Sequence, residues 1–249
     1  MRLALPVMLL AGLALAGCSN PESTERYLID PPDLQQRVGN NLGTAELRDV
    51  SLPEYAEAGE VSWQTQDGAV RSNSKRLWAD EPERAFTLTL ARSISEMSGA
   101  TVIAEPWPLA EPPRRRIEVR VEKALAQLNG IYRLQGAYYV ADESAGGANH
   151  ARRFDIQVAL PVPQEAAGSG PGGLFGRAAK AGAPPIAIAA AQNQAIAQLA
   201  QQIAVLGGPG DTITTSAPSP DSFFDTAPLL PLEPLPPLEP VDEQIEVGS

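Results

Sequence analysis

The chain has 249 residues, a formal charge of −11, one histidine and one cysteine. That length suits one domain of ordinary size with irregular segments beside it. A single cysteine excludes an internal disulfide, and the acidic balance is the reverse of the basic face that nucleic acids require.

The N-terminus reads as a secretion signal. Arg2 supplies a positive charge, and residues 3–14 are apolar except for interruptions at Pro6 and Gly12. The run falls short of the roughly 20 apolar residues that span a bilayer, but it suits a signal's hydrophobic region. Leu15-Ala16-Gly17-Cys18 closes it, with small residues leading directly into the cysteine. This tetrapeptide resembles a bacterial lipobox. The resemblance implies cleavage before Cys18, a diacylglycerol thioether on its sulfur and an acyl group, such as palmitate, on its new amine. Residues 1–17 are then the signal peptide and 18–23 a lipidated spacer. One myristoyl-length chain binds membranes only marginally, whereas several chains on one residue anchor stably. Ser19 and Asn20 follow the cysteine. In enteric-type lipoproteins an Asp there favours inner-membrane retention, so its absence favours the outer membrane.

In chain order, Tyr27-Leu28-Ile29 predicts a short strand closed by Pro31-Pro32. Pro53-Glu54-Tyr55-Ala56 opens a turn or short helix. Val61, Trp63 and Thr65 alternate as a strand does, and Asp67-Gly68 predicts a two-residue hairpin turn with its return strand over 69–73. Phe86, Leu90, Ile94 and Met97 recur on one helical face, which predicts an amphipathic helix over 82–98, capped near Gly99 and packed on the core. Trp78, just before it, is expected to be buried between helix and sheet.

A second β block follows. Residues 101–104 read as a strand ended by a Pro-rich run. Ile117, Val119 and Val121 alternate with charged residues. Tyr132, Leu134, Tyr138 and Val140 lie in phase after Asn129-Gly130, and Phe154, Ile156, Val158 and Leu160 alternate again. These predict three adjacent antiparallel strands. Residues 164–185 read as a Gly, Ala and Pro-rich surface excursion. Residues 186–206 predict a helix with Ile196, Leu199, Ile203 and Leu206 on one face, packing on the domain's own sheet or forming a short coiled-coil seam. Residues 207–249 carry eight acids, nine prolines and no Lys or Arg, and are predicted to be a disordered tail. The fold class is therefore α+β: a mainly antiparallel sheet packed with amphipathic helices over 24–206, followed by that tail.

Catalytic signals are missing. His150 has no second histidine or thiol to work with, and no serine sits in a Gly-x-Ser-x-Gly elbow. A zinc site would need more ligands than the chain holds. Gly168-Ser169-Gly170-Pro171-Gly172-Gly173 matches a dinucleotide fingerprint in letters but lacks its strand–turn–helix context, so it reads as linker. No catalytic, cofactor-binding or metal residue is assigned, and the expected protein is not an enzyme.

Several features together resemble a known family. Tyr27-x-Ile29 stands behind the lipobox cysteine. Val50-Ser51-Leu52-Pro53-Glu54-Tyr55 precedes Val61-Ser62-Trp63, and Arg76-Leu77-Trp78-Ala79 leads into the helix bearing Leu90 and Ile94. This order is similar to the paraquat-inducible (PqiC-like) ABC-type transport auxiliary lipoproteins, over about residues 24–206 and most specifically over 50–95. The resemblance implies an α/β domain that accompanies an MCE lipid-transport system, with an ATPase, a permease and an MCE-domain protein as partners. It implies a place on the periplasmic face of the outer membrane, and it leaves homo-oligomerisation open. Only Cys18 transfers as a functional residue. Trp63-Gln64 and Tyr138-Tyr139 depart from the family pattern, and the insertion and acidic tail are additions. The rival reading is an envelope-tethering lipoprotein whose Pro-rich tail binds a wall or protein partner.

Overall fold

A computed structural model describes residues 24–32, 37–144, 146–161, 183–208 and 210–214, all within the compact unit Met1–Thr215. Cys18 and the signal segment, nearly all of the 164–185 excursion with its Gly-rich fingerprint, and the chain from 215 onward lie outside the described residues.

Three long strands form the frame: β7 (Arg115–Ala126), β8 (Ile131–Asp142) and β9 (Ala148–Ala159). They pair antiparallel in sequence order, as the three runs of alternation predict. Ile117, Val119, Val121, Tyr132, Leu134, Tyr138, Val140, Phe154, Ile156 and Val158 are all buried in one core. Arg120, Glu122, Tyr139, Arg153 and Asp155 remain exposed on the opposite face. Period-two patterning decides this, because a one-residue slip would turn every apolar side chain outward.

Gly136 has a packing reason. A Cβ there would run into the Arg120 carbonyl and lie 2.8 Å from Phe154 Cζ. The strand opposite it bulges between Val121 and Lys123, and a bulge brings backbones locally closer than a side chain allows.

The rest of the sheet is mixed. β2 (Thr44–Leu47) runs parallel to β7 on one side and to β6 (Thr101–Ala104) on the other. β3 (Trp63–Gln64) meets β7 in parallel at Trp63 and Ala126, and pairs antiparallel with β4 (Val70–Arg71). β1 (Glu25–Tyr27) and β5 (Arg76–Trp78) form a separate parallel pair. The strand expected at 27–29 therefore sits two residues earlier. Past Tyr27 the chain leaves the ladder, and Ile29 enters the core while Leu28 faces outward.

The turn at Asp67-Gly68 is one residue wider than the expected two. Thr65 N–H donates to the Ala69 carbonyl at 2.9 Å, Gly68 N–H donates to the Thr65 carbonyl at 2.8 Å, and Gly68 takes φ +83°. The turn between β7 and β8 repeats the device: Gln127 bonds Ile131, and Gly130 takes φ +75°. A left-handed glycine closing a three-residue loop is a common hairpin solution.

Helices cover the buried face. α1 (Glu54–Glu57) is one turn after Pro53, α2 spans Pro82–Ser98 and α3 spans Pro185–Ala204. α2 has the expected bounds, with proline in its first turn and Gly99 in the left-handed C-cap conformation. Phe86, Leu90, Ile94 and Met97 pack with Ile196, Leu199 and Ile203 in the same core. Each such side chain contributes about 1.5–3 kcal/mol on full burial. α3 thus packs on its own domain, against α2, β8 and β9. Trp78 is buried there as expected.

The domain boundary is a correction. The tail was expected from residue 207, yet β10 (Gly210–Thr214) pairs antiparallel with β9 along residues 148–152. Asp211-Thr212-Ile213-Thr214 is rich in β-branched residues, which suit a strand. Gly210, at φ +150°, makes the entry possible, since a Cβ there would collide with the Ala151 carbonyl. The opposite edge of the sheet is closed by a side chain. Ser95 Oγ of α2 takes the Val102 N–H at 3.1 Å and reaches the Val102 carbonyl at 3.2 Å, so β6 offers less free ladder to another strand.

Candidate functional site

Three concavities occur among the best-defined surfaces. The innermost lies where α1, β5, β8 and α3 converge, lined by Leu52, Tyr55, Trp78, Phe86, Tyr132 and Gln192 among others. Tyr132 donates to the Gln192 side-chain oxygen at 2.9 Å, and Ala124 N–H donates to the Tyr55 hydroxyl at 3.1 Å. Burial pushes both phenols above their ordinary pKa, Tyr132 far above it. The void measures about 20 Å³, room for one water. Small-molecule sites occupy roughly 300–1,000 Å³, so this space is a packing joint rather than a lipid pocket.

A second recess of about 310 Å³ lies at the start of α2, lined by Asp49, Glu81, Glu83, Arg84, Leu88 and Glu105 among others. Burial first, then the charges of Glu57, Asp49 and Glu81, raise the Glu83 carboxyl above its ordinary range. The third is a shallow groove of about 510 Å³ along α3, lined by Asp30, Pro32 and a row of amides, including Asn193, Gln194, Gln198 and Gln201. Asn193 holds its rim: its Oδ1 accepts from Asp30 N–H at 3.0 Å and its Nδ2 donates to the Leu28 carbonyl at 3.4 Å. Arg92 pairs with Asp30 at 2.5 Å. Both are open surfaces, and the α3 groove is largely apolar beneath its rim of amides.

The residues singled out in the sequence fall as follows. Cys18 lies outside the described residues. His150 stands on β9 between Val140 of β8 and Thr212 of β10, its Nδ1 3.3 Å from Thr212 Oγ1. Burial, then Arg152 and Arg115, hold its pKa below 6.5. A general base beside a nucleophile would want an anionic neighbour to stabilise its protonated form, and His150 has cations instead. Among the described residues no group of three His, Cys, Asp or Glu side chains is placed to hold a metal. No helix among them is long and apolar enough to cross a membrane.

A family model described as the ABC-type transport auxiliary lipoprotein component matches residues 27–168, more than half of the chain, and the protein belongs to that family. The match runs from β1 through β9 and stops before α3. It makes this a transport-associated lipoprotein of a membrane-anchored type, in a family of auxiliary components rather than one described by a catalytic activity. A crystal structure of an uncharacterized protein shares the fold at TM-score 0.50 and 16% identity, over 69% of this chain and 97% of that one. A second, of the DUF330 protein XCC0632 from Xanthomonas campestris, matches at TM-score 0.44 and 12% identity, over 72% and 90%. No curated protein matches the chain.

Proposed function

We propose that this protein is a non-enzymatic auxiliary subunit of an MCE-type ABC lipid transporter, anchored through Cys18 on the periplasmic face of the outer membrane. There its domain docks or receives the periplasmic end of the lipid conduit formed by the MCE-domain protein, which an inner-membrane permease and ATPase drive. Family membership over residues 27–168 carries the reading. Leu15-Ala16-Gly17-Cys18 supplies the anchor and the absence of Asp after Cys18 the membrane. The open grooves along α3 and at the start of α2 offer surfaces for protein contact.

Replacing Cys18 tests the anchor. The Cys18→Ser protein, made without its transport partners, should leave the membrane fraction while keeping the thermal melt of the domain. A folded Cys18→Ser protein that still sediments with membranes would show that something other than this residue holds it there.

A further inference from the structure

The inner face of the sheet changes character at one end. Along β9 the core positions Val158, Ile156 and Phe154 continue in phase to Arg152 and His150, and along β7 Val119 and Ile117 continue to Arg115. The register sets Arg152 beside Tyr138 and Gly210, His150 beside Val140 and Thr212, and Arg115 beside Asp142. Side chains paired across neighbouring strands share a face. The core therefore ends in two guanidiniums and an imidazole where its pattern would continue with aliphatic residues.

The two guanidiniums are poorly satisfied. Arg115 has a side chain only 14% exposed; its Nη2 lies 3.4 Å from Asp142 Oδ2, while its Nε and Nη1 are buried with no hydrogen-bond partner among the described residues. Asp142 is shared, since its other oxygen accepts from Ser144 N–H at 3.0 Å. Arg152 donates through Nη1 to the Ala151 carbonyl at 3.2 Å and through Nη2 to Thr212 Oγ1 at 2.9 Å, but its Nε is buried and has no partner among the described residues. Gln202 Oε1 is the buried acceptor without a partner among the described residues, and it and the Arg152 Cβ both lie beside Gly208. One amide oxygen cannot serve three unpaired guanidinium nitrogens on two residues.

Arginine cannot escape this cost by losing its proton. A buried donor left unpaired costs about 1–3 kcal/mol, more for a charged group. The planar guanidinium fork, by contrast, matches the oxygens of phosphate and carboxylate groups. Arg115 has Asp142 beside it, whereas the bonds of Arg152 go to neutral oxygens, so its charge is not offset by a paired carboxylate among the described residues. Burial first, and then the charges of Arg152 and Arg115, hold the His150 pKa down.

We propose that Arg115 and Arg152, with His150 and Thr212 beside them, form a binding site for a phosphate-class oxyanion at this end of the sheet. Free phosphate and a phospholipid headgroup present the same oxygens. The site stands independently of the transporter reading, because it rests on the pairing of side chains within the domain.

His150 is the only histidine in the chain, so its imidazole resonances are a specific reporter next to both guanidiniums. The experiment titrates the full, untagged, histidine-labelled chain in neutral detergent. Sodium phosphate is added in one arm and short-chain phosphatidylglycerol in the other, each against sodium chloride of equal ionic strength. A saturable imidazole shift with phosphate alone identifies a free-anion site, and one with phosphatidylglycerol identifies a headgroup site. In either case Arg152→Gln should weaken the response at least tenfold and Arg152→Lys less. Arg115→Gln is the second variant, read only if its near-ultraviolet circular dichroism matches wild type. A shift that merely follows ionic strength in both arms, or one unchanged in folded Arg152→Gln, overturns the proposal.

Discussion

The phenol of Tyr132 on β8 donates a 2.9 Å hydrogen bond to the side-chain oxygen of Gln192 on α3, and both residues are buried. It is a polar tie between sheet and helix, as is the bond of the Tyr138 hydroxyl to the Gln202 carbonyl at 3.2 Å, in a core otherwise dominated by aliphatic packing. It also fixes where a helix lying beyond the family match rests on the strands within it.

Tyr132→Phe should therefore cost about 1–3 kcal/mol, because it leaves a buried acceptor without its donor. Gln192→Leu should cost a similar amount by stranding the hydroxyl. The double variant should cost less than the sum, with a coupling of about 0.5–3 kcal/mol. Urea unfolding of the four proteins measures this. Strict additivity would mean that the two side chains do not depend on each other.

The C-terminal boundary yields a second expectation. A chain ended after Gly208 loses β10 and bares the edge of β9 along residues 148–152. Exposed strand edges lower stability and invite pairing between molecules. That truncation should melt below the full chain and elute partly as larger species on gel filtration. A chain ended after Thr214 should melt and elute as the intact domain does. Equal behaviour of the two truncations would remove β10 from the domain.

His150 sets a pH dependence. Its folded pKa lies below the ordinary 6.5, depressed by burial and then by Arg152 and Arg115. Between the folded and unfolded values the unfolded chain binds more protons, so stability rises with pH. The contribution is complete above about 6.5 and is lost as pH falls through the lower, folded value. Asp142, Asp155 and Asp67 are held below the ordinary carboxylate range and titrate at lower pH. Glu83, held above that range, acts with the opposite sign, as its contribution is lost when pH rises. Comparing urea midpoints of wild type and His150→Gln at pH 7.5 and 5.5 cancels the carboxylates. Wild type should lose more stability on acidification than the variant, and an equal loss would contradict the assignment.

Much of this fold was legible because its signals are local. α2 carries a helical stripe, a first-turn proline and a C-cap glycine, and β7, β8 and β9 carry long runs of alternation. The parallel pairings of β2 with β6 and β7 were not, since four residues such as Thr44–Leu47 hold no record of partners far along the chain. β10 was hidden by Gly207, Gly208, Pro209 and Gly210, which read as the start of a Pro-rich tail. The arginine cluster was hidden for a different reason. Arg115 and Arg152 fall in phase with the buried apolar residues of β7 and β9, but an arginine at such a position reads as the place where the buried face stops rather than as part of it. Cys18, the one functional residue expected from sequence, rests on its neighbours alone and lies outside the described residues.

The central claim is that the domain attaches to an MCE-type transporter, and the partners that come with it test this most directly. The full, lipidated chain is purified from gently solubilised envelopes, alongside a chain ended after Thr214. Co-purifying proteins are identified by mass spectrometry. Both chains should bring an MCE-domain protein with its permease and ATPase in comparable amounts. Recovery of wall or division proteins by the full chain alone, with no MCE-domain protein in either preparation, would contradict the account and make the protein an envelope tether.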